Sequence, residues 1–346
     1  MRATLVLATL CMLASSAAFA QQPLKTPEAS PAASVSQTVG LTDIAISYHR
    51  PGINGRKVWG DLVPYGEVWR AGANENTTIR FSSPVKIGGK TLAAGTYGLH
   101  MIPTAKSWTI IFNTLSVGWG SYSYDVKEDA LRTTVTPTTA SDSVERLAYT
   151  FDDPTDHSVT VTLHWEKLRV PFAVEIDTPA VVMASMRAEL RGVAQFTWRG
   201  WSEAADYWVN HNGKLDEAQH FADRGLKMNE NFVSLHAAAE VAEKKGDKKL
   251  AATLNDKATK VANENELNNF GYALLGQKRV DEAIAIFQKN VQQHPESENT
   301  YDSLGDGFLA KNDRKSATDA FSKALTLAKD EPTKKRLTKT LAKLKE

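Results

Sequence analysis

Apolar residues along this chain follow two different periods, and the period changes near residue 177. Before that point, short β-type runs alternate with Gly, Pro, Asn and Asp, at residues 44–48, 77–81, 97–102, 108–112, 131–136, 147–151, 159–165 and 172–176. The clearest run sends Val159, Val161, Leu163 and Trp165 to one face and Thr160, Thr162 and His164 to the other. Gly88-Gly89, between Val85-Lys86-Ile87 and Lys90-Thr91-Leu92, suits the positive φ angles of a two-residue hairpin turn. So many short strands with almost no helical period predict a β-sandwich or barrel, and an all-β sandwich over residues 34–177 is the reading adopted.

From residue 178 the spacing becomes helical. Thr178 is the expected N-cap and Pro179 the first helical residue, with Val182, Met186, Leu190 and Val193 on one face and Gly200 as terminator. Further on, superposing the chain on itself at a shift of 34 places Gly271 on Gly305, Ala283 on Ala317 and Phe287 on Phe321. These positions, with Pro295 before the next unit, resemble the tetratricopeptide repeat. A further copy begins at Lys214-Leu215-Asp216-Glu217-Ala218, and a degraded one runs over residues 235–258. Leu337, Leu341 and Leu344 then give a terminal helix that caps the stack. The second half, 178–346, is therefore read as an α-solenoid of tetratricopeptide-like hairpins that meets a protein or peptide partner.

At the start, Arg2, the apolar run 5–13 and Ala18-Phe19-Ala20 have the form of a secretory signal peptide cut after Ala20. The run is too short to span a bilayer, and bulky Leu10 before Cys11 argues against a lipid anchor. Residues 21–33, rich in Pro, Ala and Ser, read as a flexible leader. A periplasmic or secreted chain is expected, without membrane insertion after cleavage. Cys11 is the single cysteine, so the cleaved chain has no disulfide, thiolate metal site or cysteine nucleophile. With 41 Lys and Arg against 40 Asp and Glu, the composition also argues against a nucleic-acid binder held by counterion release.

Three ordered motifs in the β half are 62–75 (Leu-Val-Pro-Tyr-Gly-Glu-Val-Trp-Arg-Ala-Gly-Ala-Asn-Glu), 92–99 and Trp165-Glu166-Lys167. Together they resemble a bacterial family known as domain of unknown function 2911. The resemblance covers about 34–177 and implies an exported β domain, often followed by helical repeats, with no established reaction.

Candidate chemistry concentrates at residues 47–75. Arg50, Arg56, Trp69, Arg70, Asn74 and Glu75 offer the forks, ring, amide and carboxylate of a site for a small carboxylate, sugar or peptide. The competing account has Trp59 and Trp69 plugging one end of the sandwich while Arg70 and Glu75 satisfy each other. An envelope hydrolase built around Arg70, Asn74, Glu75 and His100 is the catalytic alternative. His49, His100 and His164 have the parity of the wetter faces, but their wide spacing favours separate hydrogen-bonded histidines over a metal site. Asp152-Asp153-Pro154-Thr155-Asp156 reads as a turn rather than a calcium loop. No phosphate loop, dinucleotide fingerprint, G-x-S-x-G elbow or H-E-x-x-H is present, so no cofactor is implied. Trp198, Trp201, Tyr207 and Trp208 are expected to form an interdomain core through which the two halves dock rather than a peptide groove, and the basic residues 334–345 a solvated face.

Overall fold

The computed structural model describes residues 26–344, which divide into two compact units between Ile176 and Asp177. The expected signal peptide with Cys11 and the first residues of the leader lie outside the described residues.

The first unit contains β1 (Ala32–Val39), β2 (Thr42–His49), β3 (Thr78–Phe81), β4 (Val85–Ile87), β5 (Lys90–Leu92), β6 (Gly95–Pro103), β7 (Trp108–Asn113), β8 (Asp129–Val135), β9 (Thr138–Asp152) and β10 (Ser158–Glu175). They form a six-stranded sheet of order β1-β2-β3-β6-β7-β8 and a four-stranded sheet of order β5-β4-β10-β9. Neighbouring strands are antiparallel throughout. Two antiparallel sheets are the expected sandwich class. Ile44, Ile46, Ile79, Phe81 and Phe112 from the first sheet and Leu147, Val161, Leu163 and Phe172 from the second fill the core. At the β4–β5 turn Gly88 and Gly89 have φ of 56° and 74°, the left-handed pair that closes a two-residue hairpin.

Two features depart from the sequence reading. The ladder opens at Ala32 and Ala33, opposite His49 and Tyr48, inside the stretch expected to be flexible leader. The runs 159–165 and 172–176 form a single strand, β10, which bulges where Glu166 takes φ 53°. Pro171 is tolerated in it because pairing with β9 ends at Arg169 and pairing with β4 lies at Glu175, so no ladder donor is required between them.

The second unit opens with α1 (Thr178–Glu189). Its N-cap is Asp177, whose side chain accepts from Ala180 N at 3.2 Å, one residue before the expected Thr178. The helix ends well before Gly200. Leu190 is its C-cap, Val193 is exposed in the 3-10 turn that follows Gly192, and Gly200 lies inside α2. Four hairpins follow: α2 (Trp198–Asn210) with α3 (Leu215–Met228), α4 (Phe232–Lys244) with α5 (Lys248–Val261), α6 (Glu264–Gly276) with α7 (Val280–Gln293), and α8 (Glu298–Ala310) with α9 (Arg314–Leu327). Each first helix has 13 residues and each second helix 14. A last helix, α10 (Glu331–Leu344), covers Ala317 and Phe321 with Leu337, Leu341 and Leu344, as the expected cap.

The hairpins are more alike than their residues. At the eighth position of the first helices stand Ala205, Ala239, Gly271 and Gly305. A Cβ on Gly271 would sit 2.3 Å from Phe287, and one on Gly305 2.6 Å from Phe321. In the first hairpin the sizes are exchanged: Ala222 replaces the phenylalanine and Trp208 fills the space, edge-on to Phe221 at 5.1 Å. Each connecting turn holds one left-handed residue, Asn212, Gly246, Lys278 or Asn312. Trp201 and Trp208 are core of this unit, with Trp208 Nε1 donating to Glu217 at 2.9 Å and the Arg187 guanidinium 4.9 Å above its ring.

Candidate functional site

The loop between β2 and β3 carries most of the residues expected to form a ligand site, and four tryptophans organise it. Trp59 stands edge-on to Trp108 at 4.9 Å and to Trp165 at 5.6 Å, while Trp69 stacks on Trp165 at 6.0 Å. Trp69 Nε1 donates to Gly72 O, and its backbone exchanges two 2.8 Å hydrogen bonds with Met101. Trp59 and Trp69 thus extend the core contributed by Trp108 and Trp165.

The forks do not converge. Arg50 Nε donates to Leu147 O at 2.8 Å, and Arg56 donates to the carbonyls of Gly52 and Ile53 at 2.6 and 3.1 Å, so both are spent on backbone. Asn74 Nδ2 donates to Glu28 Oε2 at 3.2 Å. Glu75 meets His49 Nε2 at 3.4 Å, and Glu28 meets the same nitrogen at 3.4 Å. The expected Arg70–Glu75 pair is absent: Arg70 has no hydrogen-bond or ion-pair partner among the described residues, and its Nε is buried. Its Nη1 lies 2.8 Å from where a Cβ on Gly120 would stand, and the Tyr122 ring lies 3.1 Å from that point.

The three histidines have separate partners. His164 Nε2 shares a 2.7 Å hydrogen bond with Thr150 Oγ1. His100 is buried, contrary to its strand parity, because residues 114–128 cover the outer face of β6. Its Nδ1 bonds to Ser121 Oγ at 3.0 Å, and burial lowers its pKa to about 4. Among the described residues no cluster of three or more His, Cys, Asp or Glu could hold a metal ion. Asp153 takes φ 50° in the β9–β10 turn, where Thr155 N donates to Ser158 O at 2.8 Å, which is the turn geometry expected of that aspartate run.

In the helical unit the first helices present a polar face. Asp206, Glu240, Tyr272 and Asp306 hold its ninth position, and Ser202, His236, Asn268 and Asp302 its fifth. Tyr272 donates to Asp306 at 2.8 Å, and Arg336 from α10 donates to Asp302 at 2.6 Å. Glu240 Oε1 lies 3.5 Å from His236 Nε2, whereas Glu240 Oε2 and Asn268 Oδ1 are buried with no donor. Burial, and then the neighbouring Asp206 carboxylate, push the Glu240 carboxyl up to about 8. In front of it lies a cavity of about 530 Å³ lined by Val209, Asn210, Glu240, Glu243, Lys244, Gln277 and Arg279. Arg279 is already held by Glu282 at 2.7 Å.

Residues 30–174 match the family described as "Protein of unknown function (DUF2911)". The match spans the two sheets and the β2–β3 loop that the four tryptophans organise. Among solved structures, YrrB, described as "a TPR protein with an unusual peptide-binding site", is 20% identical over 46% of this chain and 84% of that one, with TM-score 0.28. PilF from Pseudomonas aeruginosa is 22% identical over 44% of this chain and 69% of that one, TM-score 0.28. MamA is 14% identical over 47% and 92%, TM-score 0.29. No curated protein matches the chain. Assignment of the repeats rests on the four equal hairpins described above.

Two exposed rings of the β unit, Trp119 and Tyr122, were not foreseen as site residues. The Glu75–Trp119 bridge and the Gly120 N to Asn74 O bond, 3.1 Å, fix their loop beside Arg70. Their signal in the sequence is the run Ser116-Val117-Gly118-Trp119-Gly120-Ser121-Tyr122, which sets aromatic rings among Gly and Ser, where no core strand would put them.

Proposed function

We propose that this protein is an exported interaction scaffold whose repeat unit grips an extended, lysine- or arginine-bearing segment of a partner protein on the first-helix face. The observation that carries the reading is the pair of buried, donorless acceptors there, Glu240 Oε2 and Asn268 Oδ1. An ammonium or guanidinium group would supply the missing donors and let Glu240 ionise beside Asp206. Among the described residues no helix is long and apolar enough to cross a membrane.

Fluorescence anisotropy with short labelled peptides of equal length tests this. Lysine-rich peptides should bind, with affinity falling as salt is added, and glutamate-rich ones should not. Glu240→Gln should weaken binding by about tenfold, because the amide cannot become a charged acceptor. Equal affinity for all peptides, or no effect of Glu240→Gln, refutes the reading. Export is tested separately by mass spectrometry of the secreted or periplasmic protein, which should begin at Gln21.

The unpaired fork of Arg70 beside Tyr122 favours a second reading for the β unit, a small anionic ligand. Arg70→Lys should then abolish binding of such a ligand with little change in Tm, since no ion pair is lost. A large fall in Tm would assign Arg70 to structure instead.

A further inference from the structure

Two sheets leave four outer strands, and the structure treats one of them differently from the rest. β5 is three residues long and includes Lys90. β8 carries Asp129 and Arg132, its pairing with β7 is irregular at Phe112 and Asn113, and Lys90 Nζ reaches the Arg132 carbonyl on its open side at 3.5 Å. β9 carries Asp142, Glu145 and Arg146, and its outer edge is stitched by Ile53 N to Glu145 O and Leu147 N to Pro51 O, 2.9 and 3.0 Å. Shortness, charge, irregularity and cover are the devices that stop sheet edges from pairing.

β1 lacks shortness, charge and irregularity, and β9, which approaches it, makes no backbone hydrogen bond to it. Its eight residues, Ala-Ala-Ser-Val-Ser-Gln-Thr-Val, contain no charge and no proline, and its register with β2 runs without a shift from Ala32 to Val39. Arg50 N donates to Pro31 O, so odd-numbered residues turn their backbone groups toward β2. The even-numbered Ala32, Ser34, Ser36 and Thr38 then turn theirs outward. In agreement, the Thr38 carbonyl accepts from the Gln37 side chain at 2.9 Å rather than from a strand.

We propose that the outer edge of β1 is a strand-pairing surface for a second copy of this chain. An antiparallel pair centred on Val35 sets Ser34 opposite Ser36 and Ala32 opposite Thr38 of the other copy. Every outward residue then meets an outward residue, and Val35 lies beside its own counterpart. A two-fold pair requires such self-complementarity, and a charged edge would bring like charges face to face. The neutral, unbroken sequence of β1 meets both conditions, which a site for a charged foreign strand would not need. The product is a continuous twelve-stranded sheet made of two six-stranded halves.

Sedimentation velocity on the full chain tests the proposal. Wild type should pass from monomer to dimer as concentration rises to on the order of 100 μM, a weak association because edge pairing alone buries little surface. Ser36→Pro removes an outward amide and no β1–β2 bond, so it should raise the dissociation constant about tenfold or more while leaving the circular dichroism spectrum unchanged. Ser34→Lys provides the same readout without touching the backbone. A wild type that stays monomeric over this range overturns the proposal, as does a dimer that survives both substitutions.

Discussion

Single residues set the close approaches of the helical unit, and their conformations make opposite predictions at two sites. Lys278 holds φ 63° in a turn where its counterparts are Asn212, Gly246 and Asn312. A β-carbon in the left-handed region is strained, so Lys278→Gly should raise stability by about 1 kcal/mol in urea denaturation. Gly271→Ala should do the reverse. Its new methyl would fall 2.3 Å from Phe287 Cε1, on a ring buried among Leu274, Ala283 and Ile284. Displacing that ring should cost roughly 2–3 kcal/mol. Ala205 and Ala239 occupy the same position without penalty because no phenylalanine stands opposite them, so the glycine is demanded by its partner.

Elements bring these residues under pH control. His100 is buried neutral beneath residues 114–128, with a pKa lowered to about 4 from 6.5. The unfolded chain therefore binds more protons than the folded one between those values, and stability should fall as pH drops from about 6.5 to 4. His100→Gln should flatten that part of a plot of Tm against pH. Glu240 works the other way. Its raised pKa lets the folded state keep a proton up to about 8 that the unfolded state releases near 4.5, so stability should decline as pH rises between the two. Glu240→Gln should remove that decline from a plot of Tm against pH between about 6.5 and 8.5, above the range in which His100 titrates. The elements themselves were largely legible: the Gly88-Gly89 hairpin, the alternation of β10 and the 34-residue period are local patterns. What escaped was decided by distant partners. β1, rich in alanine and serine, has little hydrophobic signal of its own and becomes a strand by pairing with β2. Arg50 and Arg56 carry the residue type of a ligand fork, but the carbonyl that engages Arg50 belongs to Leu147, 97 positions away. Arg70 and Glu75 lie close in sequence, yet Glu75 turns to His49. In the first hairpin, exchanged large and small side chains keep the packing while weakening the 34-residue match.

Across the molecule, the two units differ most in how far along the chain their contacts reach. Every helix hairpin closes over neighbouring residues, whereas the β unit closes when Tyr149 N donates to the Tyr48 hydroxyl at 3.2 Å, across 101 positions, and when Arg50 reaches Leu147. Local closure is fast and distant closure slow, so refolding followed by tryptophan fluorescence should show a rapid helical phase and a slower β phase. A chain that emerges from its N-terminus meets this difference in an awkward order. β1 and β2 come out first, yet they cannot be locked until residues 145–149 have followed, and the quicker repeats come last of all. During that interval the uncharged strand that opens the sheet has neither its finished sandwich nor a protective charge. The nascent chain is thus most vulnerable to misassociation at its leading end, and a holding chaperone would have its greatest effect before residue 150 appears.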